Sequence, residues 1–344
     1  MNELGISKIA VYGGSGKLGR ALIRHFLGQG VAVRAMHHST PLDITPCPVA
    51  GASSTTPASP VAGASSPGTL ESIQGDVRNL DDVKRVLGDA DAVFALATTK
   101  EDPETFFDVS LRGTFNILEA ARETPVKQLI LAGGDAAVGI WFYPHPEPID
   151  ETHPLMAYPG YYAFSKVMEE EMFRQYHYQY GLPTTILRMS WIFEKTDILN
   201  HLSLRNLNPA EKGHGWDDYL TDELREIIAR GENRVPVLVN QDGVPYTRHI
   251  VHLDDVVHAF DVATGNPAAI GETFHIAAPK AFRYDQAAAY LSEKTGLPTC
   301  TITASGYHSF EVNISKARHV LGYNPQYDIY GIIDRALEWR AANA

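Results

Sequence analysis

Two hydrophobic periods alternate along the first 135 residues. Ile6-Ser7-Lys8-Ile9-Ala10-Val11, Val31-Ala32-Val33-Arg34-Ala35-Met36, Ala92-Val93-Phe94-Ala95-Leu96-Ala97 and Gln128-Leu129-Ile130-Leu131-Ala132 are short apolar runs rich in β-branched residues, the mark of buried strands. Between them the apolar positions shift to helical spacing. Leu18, Ala21, Leu22, Phe26 and Leu27 follow the first run. Phe107, Leu111, Phe115, Leu118 and Ala121 predict a helix over about 104–123. Asn79 or Asp81 is placed to cap a helix ending near Leu87. Strands alternating with helices at this rhythm predict an α/β fold with a doubly wound parallel sheet. Further on, the pattern predicts a helix over 161–180 and a helix-like run from Asp222 to Ile228. From Glu311 to Trp339 it predicts a strand or turn followed by two helices.

The first strand-to-helix turn reads Val11-Tyr12-Gly13-Gly14-Ser15-Gly16-Lys17-Leu18-Gly19. Gly14, Gly16 and Gly19 satisfy G-x-G-x-x-G, and Gly13, Gly16 and Gly19 also form G-x-x-G-x-x-G. In this context the glycines permit a tight turn, close approach of a pyrophosphate, and contact between helix and strand. The helix N-terminus adds free N–H groups and a positive dipole end. The motif therefore points to a dinucleotide. The second strand ends His37-His38-Ser39-Thr40, with no acid before Asp43 to take a ribose 2′-hydroxyl, and Arg34 lies nearby. That favours NADP over NAD.

The 344 residues suit a nucleotide-binding core with a smaller lobe. A net charge of −12 with no basic cluster argues against nucleic acid and anionic membranes as partners. No apolar run of 18 residues or N-terminal signal pattern is present, and the chain reads as cytoplasmic. Cys47 and Cys300 make neither a disulfide framework nor a metal motif. His249-x-x-His252 falls in a strand-like run, so no metal is expected. Pro48-Val49-Ala50-Gly51-Ala52-Ser53-Ser54 recurs as Pro60-Val61-Ala62-Gly63-Ala64-Ser65-Ser66. Residues 39–68 thus read as a mobile surface insertion with too few large apolar side chains to order itself, and 41–67 as dispensable.

Tyr162 and Lys166 are spaced i, i+4 near the start of the 161–180 helix and project from one face. A lysine so placed can hold a tyrosine as a partial phenolate, competent as an acid/base near neutral pH. The pair belongs to an ordered set. It follows Gly13-x-x-Gly16-x-x-Gly19, Gly75-Asp76-Val77, Gly113-Thr114-Phe115-Asn116-Ile117-Leu118-Glu119-Ala120 and Pro148-Ile149-Asp150-Glu151. It precedes Thr185-Ile186-Leu187-Arg188, Arg248-His249-Ile250-Val251-His252-Leu253-Asp254-Asp255-Val256 and Ser315-Lys316-Ala317-x-x-x-Leu321-Gly322. With this set the chain resembles the extended short-chain dehydrogenase/reductases, the NAD-dependent epimerase/dehydratase group.

The resemblance implies a Rossmann-type domain over 1–189, rejoined by about 248–265, and a substrate-binding lobe from about 190–247 and 266–344. It implies Tyr162 as the catalytic acid/base, with Lys166 lowering its pKa and binding the nicotinamide ribose. Gly13, Gly16 and Gly19 would hold the pyrophosphate, with Gly14, Ser15, Lys17 and Leu18 in the same loop. Asp76 and Val77 would lie against the adenine, with His37, His38 and Ala97 lining the cofactor. Gly134, Asp135, Arg188 and Arg248 are the candidate substrate contacts, and Arg188 and Asp255 mark where the chain enters and leaves the lobe. The family's catalytic Ser or Thr is absent: its place falls on Gly134. Thr98 or Thr99, or a backbone N–H near Gly134, is the candidate replacement donor. Two further departures are Ser110 in place of a common Asn, and a Met189–Glu194 segment without the usual Pro and Gly. Residues 195–235 read as a lid over a hydroxylated or anionic ligand, with His201, Arg205 and Arg248 as its polar contacts. The expected protein is an NAD(P)-dependent oxidoreductase or epimerase/dehydratase acting on a secondary alcohol or ketone of a sugar-like small molecule. It is expected to be a homodimer through the 104–123 and 160–180 helices, with Met168, Met172, Phe173 and Tyr176 offering apolar surface. A dinucleotide-sensing protein with vestigial catalysis is the competing reading.

Overall fold

The computed structural model describes residues 2–39, 41, 42, 44, 68–145, 148–206 and 216–343. The duplicated Pro/Ala/Ser segment and part of the expected lid, 207–215, lie outside them. Six strands, β1 (Lys8–Tyr12), β2 (Ala32–His37), β3 (Leu70–Gln74), β4 (Ala92–Ala95), β5 (Gln128–Gly134) and β6 (Thr184–Met189), alternate with helices α1 (Lys17–Gly28), α2 (Leu80–Leu87), α3 (Gly113–Arg122) and α4 (Tyr161–Tyr180). The lobe begins with β7 (Trp191–Phe193), α5 (Asp197–His201), α6 (Asp222–Ala229), β8 (Val235–Val239) and β9 (Thr247–Arg248). The chain then runs through β10 (Ile250–His252), α7 (Leu253–Ala263) and β11 (Thr273–Ile276). It closes with β12 (Phe282–Arg283), α8 (Tyr284–Thr295), β13 (Thr299–Thr303) and α9 (Ile329–Ala342).

The central sheet has seven strands in the order β11-β6-β5-β4-β1-β2-β3, every pair parallel. The order reverses beside β1, so the C-terminal ends of β1 and β4 open a crevice where ligands bind in such sheets. β1, β4 and β5 are buried on both faces, as their unbroken apolar runs require. On one face Phe26, Phe94 and Phe260 stack edge-to-face at 5.2 and 5.1 Å and join α1, β4 and α7. Their core continues into the lobe through Met189, Phe193 and Ile250. On the other face Val83, Leu118 and Phe173 anchor α2, α3 and α4.

Three expectations change. The helix over 104–123 is not uniform: Phe106–Arg112 winds as a π-helix before α3 begins. This widening coincides with Ser110, whose buried hydroxyl accepts the Thr99 N–H at 3.1 Å. Second, β11 is the seventh strand of the sheet, so the nucleotide domain reclaims chain beyond residue 265, to about Ile276. Third, the segment read as a loose insertion over 39–68, and as dispensable from 41, is anchored near its start. Leu42 and Ile44 are buried in the core, and Leu42 reaches the space beside Gly14.

Arg188, expected as a substrate contact, is 1% exposed and spent inside the protein. It pairs with Glu170 of α4 through two nitrogens and bonds His275 of β11 at 2.9 Å. Glu170 also takes Arg174 at 2.8 Å. This buried network clamps α4 to the sheet edge. Asp255 is structural in the same way, accepting the Gln326 and Tyr327 N–H groups.

Gly19→Ala drives its Cβ against the backbone of Gly14 at 2.8 Å, where only a shift of α1 relieves it. It is expected to cost about 1–3 kcal/mol in urea unfolding, whereas Gly16→Ala is nearly neutral. Arg188→Met leaves the buried Glu170 carboxylate with Arg174 as its remaining cation and His275 Nε2 without its partner, and is expected to cost about 3 kcal/mol. Replacing 45–67 by a short Gly/Ser linker leaves the melting temperature nearly unchanged, because loop closure changes by only about 0.6 kcal/mol per doubling. Extending the deletion through Leu42 lowers it.

Candidate active site

The glycine turn divides its work among its residues. Gly13 has φ +91°, and a Cβ there would meet the Ala97 nitrogen at 2.9 Å, so Gly13 lets β1 seat against the end of β4. Gly16 is the N-cap of α1, with no side chain capping the helix, and a Cβ on it would meet only the Gly13 carbonyl, at 3.4 Å. The first-turn N–H groups of α1 thus face a cradle in which the smallest residue leaves room for a pyrophosphate. Gly14 packs under the turn, towards Ala35, Ile23 and Leu42. Ser15 is exposed, its carbonyl held by Arg20 at 2.9 Å, and Leu18 packs half-buried on the core. Lys17 reaches out of the turn to pair with Asp197 of α5, tying the cradle to the lobe.

At the end of β2, His37 is buried and its Nδ1 meets the Ser72 hydroxyl at 2.9 Å. His38 is exposed, 3.6 Å from Asp76. Asp76 is gripped by Arg78 at 2.6 Å, which holds its carboxyl below the usual range. Val77 is buried, its carbonyl accepting Asn116 Nδ2 at 2.8 Å. Arg34 does not turn towards this edge. It bonds Glu71 and Asp89 and the carbonyl of Leu87 at the far end of α2.

Tyr162 and Gly134 meet as the motif spacing implies: a Cβ on Gly134 would lie 3.5 Å from the Tyr162 hydroxyl and 3.6 Å from Lys166 Cγ. Lys166, however, is not free to hold a phenolate. Its Nζ donates to Glu169 at 2.7 Å and to the Ala132 carbonyl at 3.2 Å, and lies 5.5 Å from the Tyr162 ring centre. Glu169 is 1% exposed, and burial raises its carboxyl above the normal range against the pull of Lys166. Glu169 Oε1 has no partner at hydrogen-bond geometry, although the Ser165 and Thr98 hydroxyls lie near enough to draw its pKa down. Burial, then the carboxylates of Asp135, Glu169 and Glu101, push the half-buried Tyr162 hydroxyl above its ordinary pKa. The Tyr162 hydroxyl thus stands above its ordinary pKa, with the Lys166 ammonium paired to Glu169. Thr98, the expected donor, contacts the Thr99 carbonyl at 3.2 Å and the Ser110 hydroxyl at 3.3 Å.

Asp135 opens a short 3₁₀ turn after β5 and is 7% exposed. Burial pushes its carboxyl up to about 7, against the Ser190 hydroxyl, Arg248 and Arg188. Among the described residues neither Asp135 Oδ2 nor the Ser190 hydroxyl has a partner at hydrogen-bond geometry, and neither has Arg248 Nε. The Arg248 guanidinium lies between two indoles, 4.9 Å from the Trp141 ring and 4.5 Å from that of Trp191. Trp141 holds a left-handed backbone, φ +75°, and packs against Tyr246, Tyr307 and Phe310. His201 bonds the Tyr284 hydroxyl at 2.8 Å and stands edge-on to Trp191; burial lowers its pKa to about 3, so it is neutral. His249 is structural, its nitrogens on the Ala278 carbonyl and the Val312 N–H. Among the described residues no group of three His, Cys, Asp or Glu is placed to hold a metal.

Sequence reasoning missed Glu169, Ser190, Trp141 and Trp191. Glu169 was findable, because it stands at i+3 from Lys166 on the same helix face. The others come from separate segments and carry no local signal.

The profile of the NAD-dependent epimerase/dehydratase family matches residues 9–277. A putative UDP-glucose 4-epimerase of Methanocaldococcus jannaschii is 25% identical over 292 residues, 79% of this chain and 85% of that protein. A uronate dehydrogenase of Pseudomonas putida is 29% identical over 175 residues, half of this chain and 59% of that protein. In fold, the chain is similar to a short-chain dehydrogenase/reductase superfamily protein from Agrobacterium tumefaciens solved with bound NAD. The TM-score is 0.79 at 22% identity, over 98% of each chain. The profile match covers most of the chain and includes the glycine turn and the Tyr162–Lys166 pair: the chain belongs to the NAD-dependent epimerase/dehydratase family.

Proposed function

We propose that this protein is an NAD(P)-dependent enzyme acting at a secondary alcohol or ketone of a sugar or sugar nucleotide, with Tyr162 as the proton-transfer group. The observation that carries it is the meeting of Tyr162 with Gly134 at the sheet edge next to the glycine cradle. Gly13, Gly16 and the α1 N-terminus would hold the pyrophosphate, and Asp76, Val77 and Ala97 would line the adenine side. Lys166, drawn from Glu169, would bind the nicotinamide ribose. Bound dinucleotide supplies or accepts the hydride. Tyr162, protonated across the neutral range, donates to a carbonyl oxygen in the reducing direction. The relatives include a uronate dehydrogenase and a putative UDP-glucose epimerase. Accordingly Arg248 and the indoles beside it are read as the sugar-side wall.

The choice of dinucleotide turns on the end of β2. No carboxylate stands at His37-His38, which favours NADP, while Arg34 is spent elsewhere and lends no support. The competing reading, a dinucleotide sensor, is favoured by Gly134 and by the buried Lys166–Glu169 pair, which leave Tyr162 without its usual helpers. We also propose a homodimer. Phe107, Phe115, Phe164 and Met168 are exposed on the π-helical segment, α3 and α4, whereas Phe173, expected there, is wholly buried.

Calorimetric titration should show NADP binding more tightly than NAD. Tighter NAD binding reverses the preference, and binding of neither removes the reading. Gly16→Val should keep the fold and abolish binding. With UDP-glucose, UDP-glucuronate and glucuronate as substrates, Tyr162→Phe should lower kcat at least about 10²-fold with little change in dinucleotide affinity. Full turnover by that variant removes Tyr162 from the chemistry. Tight dinucleotide binding without turnover of any substrate favours the sensor. Light scattering at micromolar concentration should return a dimer mass.

A further inference from the structure

Gly134 has no side chain to hydrogen-bond a substrate oxygen, yet Tyr162 stands where such a bond is needed. The next residue carries a buried carboxyl close enough for its charge to act on the Tyr162 hydroxyl. Asp135 is buried beyond nine-tenths and its Oδ2 has no hydrogen-bond partner. The groups around it are the Ser190 hydroxyl, Arg188 and Arg248 from the lobe side of the sheet, and Tyr158 and Tyr162 from the α4 side, both of which its charge influences. Arg188 is already spent on Glu170, and Arg248 is held between indoles with its Nε unpartnered. Among the described residues no cation is hydrogen-bonded to the Asp135 carboxyl, which lies in a water-poor place where an ionised carboxylate is costly.

We propose that Asp135 in its neutral, protonated form is the hydrogen-bond donor to the reacting substrate oxygen, in place of the hydroxyl that Gly134 lacks. The proposal rests on the reading of Tyr162 as the proton-transfer group. Asp135 keeps its proton: Tyr162 gives its proton to the substrate oxygen, and the neutral Asp135 carboxyl donates a hydrogen bond to the charge developing there. An apolar site that keeps a carboxylic acid neutral near pH 7 turns an otherwise repulsive group into a donor. Burial does this here, raising the Asp135 carboxyl to about 7. Ser190, with its own unpartnered hydroxyl, completes the polar patch.

The sign of the pH effect follows. The donor form is present below about pH 7 and lost above it, so kcat in the reducing direction falls as pH rises through 7. Stability follows the same direction. A carboxyl whose folded pKa lies above its unfolded value of about 3.9 contributes most at acid pH, and that contribution fades as pH approaches 7.

Two measurements test the proposal. Infrared difference spectra of the free protein against Asp135→Asn, titrated from about pH 5 to 9, should show a protonated carboxyl band disappearing with a midpoint near 7. A carboxyl already ionised at pH 5 overturns the proposal, with no substrate needed. On whichever of UDP-glucose, UDP-glucuronate or glucuronate is turned over, Asp135→Ala should lower kcat about 10²-fold. Asp135→Asn, which keeps an N–H donor but cannot titrate, should fall less and lose the decline above pH 7. Adding Gly134→Ser to Asp135→Ala should restore rate. Melting temperature and dinucleotide affinity report whether each variant is folded. Full activity in Asp135→Ala with an unchanged pH profile, while Tyr162→Phe is inactive, defeats this proposal alone. Full activity in Tyr162→Phe defeats the reading beneath it.

Discussion

The contact between α1 and β1 is the constraint on which the rest depends. Gly19 sits so close to the backbone of Gly14 that no side chain fits, and Gly13 turns back against the end of β4 through a left-handed backbone. Only with both approaches made does the N-terminus of α1 point into the crevice where the strand order reverses. The same packing brings Phe26 onto Phe94 and Phe260, so the helix whose uncapped N-terminus faces that crevice also anchors α7 and, through it, the lobe. Lys17 and Asp197 then bridge the cradle and the lobe from the solvent side.

A second constraint holds the chemistry in place. Glu170 and Arg188 form a buried ion pair, and loss of Glu170 would leave the Arg188 guanidinium stranded in the core. It pins α4 beside β5 and β6, which is why Tyr162 arrives within reach of Gly134. One residue earlier on the same helix, Glu169 faces Lys166, and the two adjacent acids do different work. One is fully paired and holds the helix down. The other keeps an unpartnered oxygen and cancels the charge that would make Tyr162 a phenolate. The electrostatics of the site thus favour a tyrosine that gives a proton. The raised Asp135 carboxyl points the same way, since both groups carry their protons at neutral or mildly acid pH.

The wall proposed for the substrate is built differently. Arg248 lies between Trp141 and Trp191, and His201, Tyr284 and Tyr307 fill the space around them. Aromatic plates around one cation make a rigid, amphipathic cluster, which is the basis for the proposed sugar-side wall. Trp141 holds a backbone conformation unfavourable for a large side chain, a strain the surrounding packing sustains.

Much of this was legible from residue order. Alternating runs of period two and period 3.6 determine strands and helices wherever they are buried, because burial on one or both faces is a local demand on composition. The glycine turn, the cap at Asn79, the Tyr162–Lys166 pair and the empty side chain at Gly134 are likewise local, and each stands where its spacing put it. Glu169 was within reach of the same helical arithmetic. The tertiary structure decided what those side chains are worth. Arg188 is structural because Glu170 and His275 surround it; Arg34 is unavailable because Glu71 and Asp89 take it; Asp135 is driven towards its neutral form because β5, β6 and the lobe exclude water around it. Charge state and partner choice depend on what lies across space, and chain order leaves that open until the sheet has assembled.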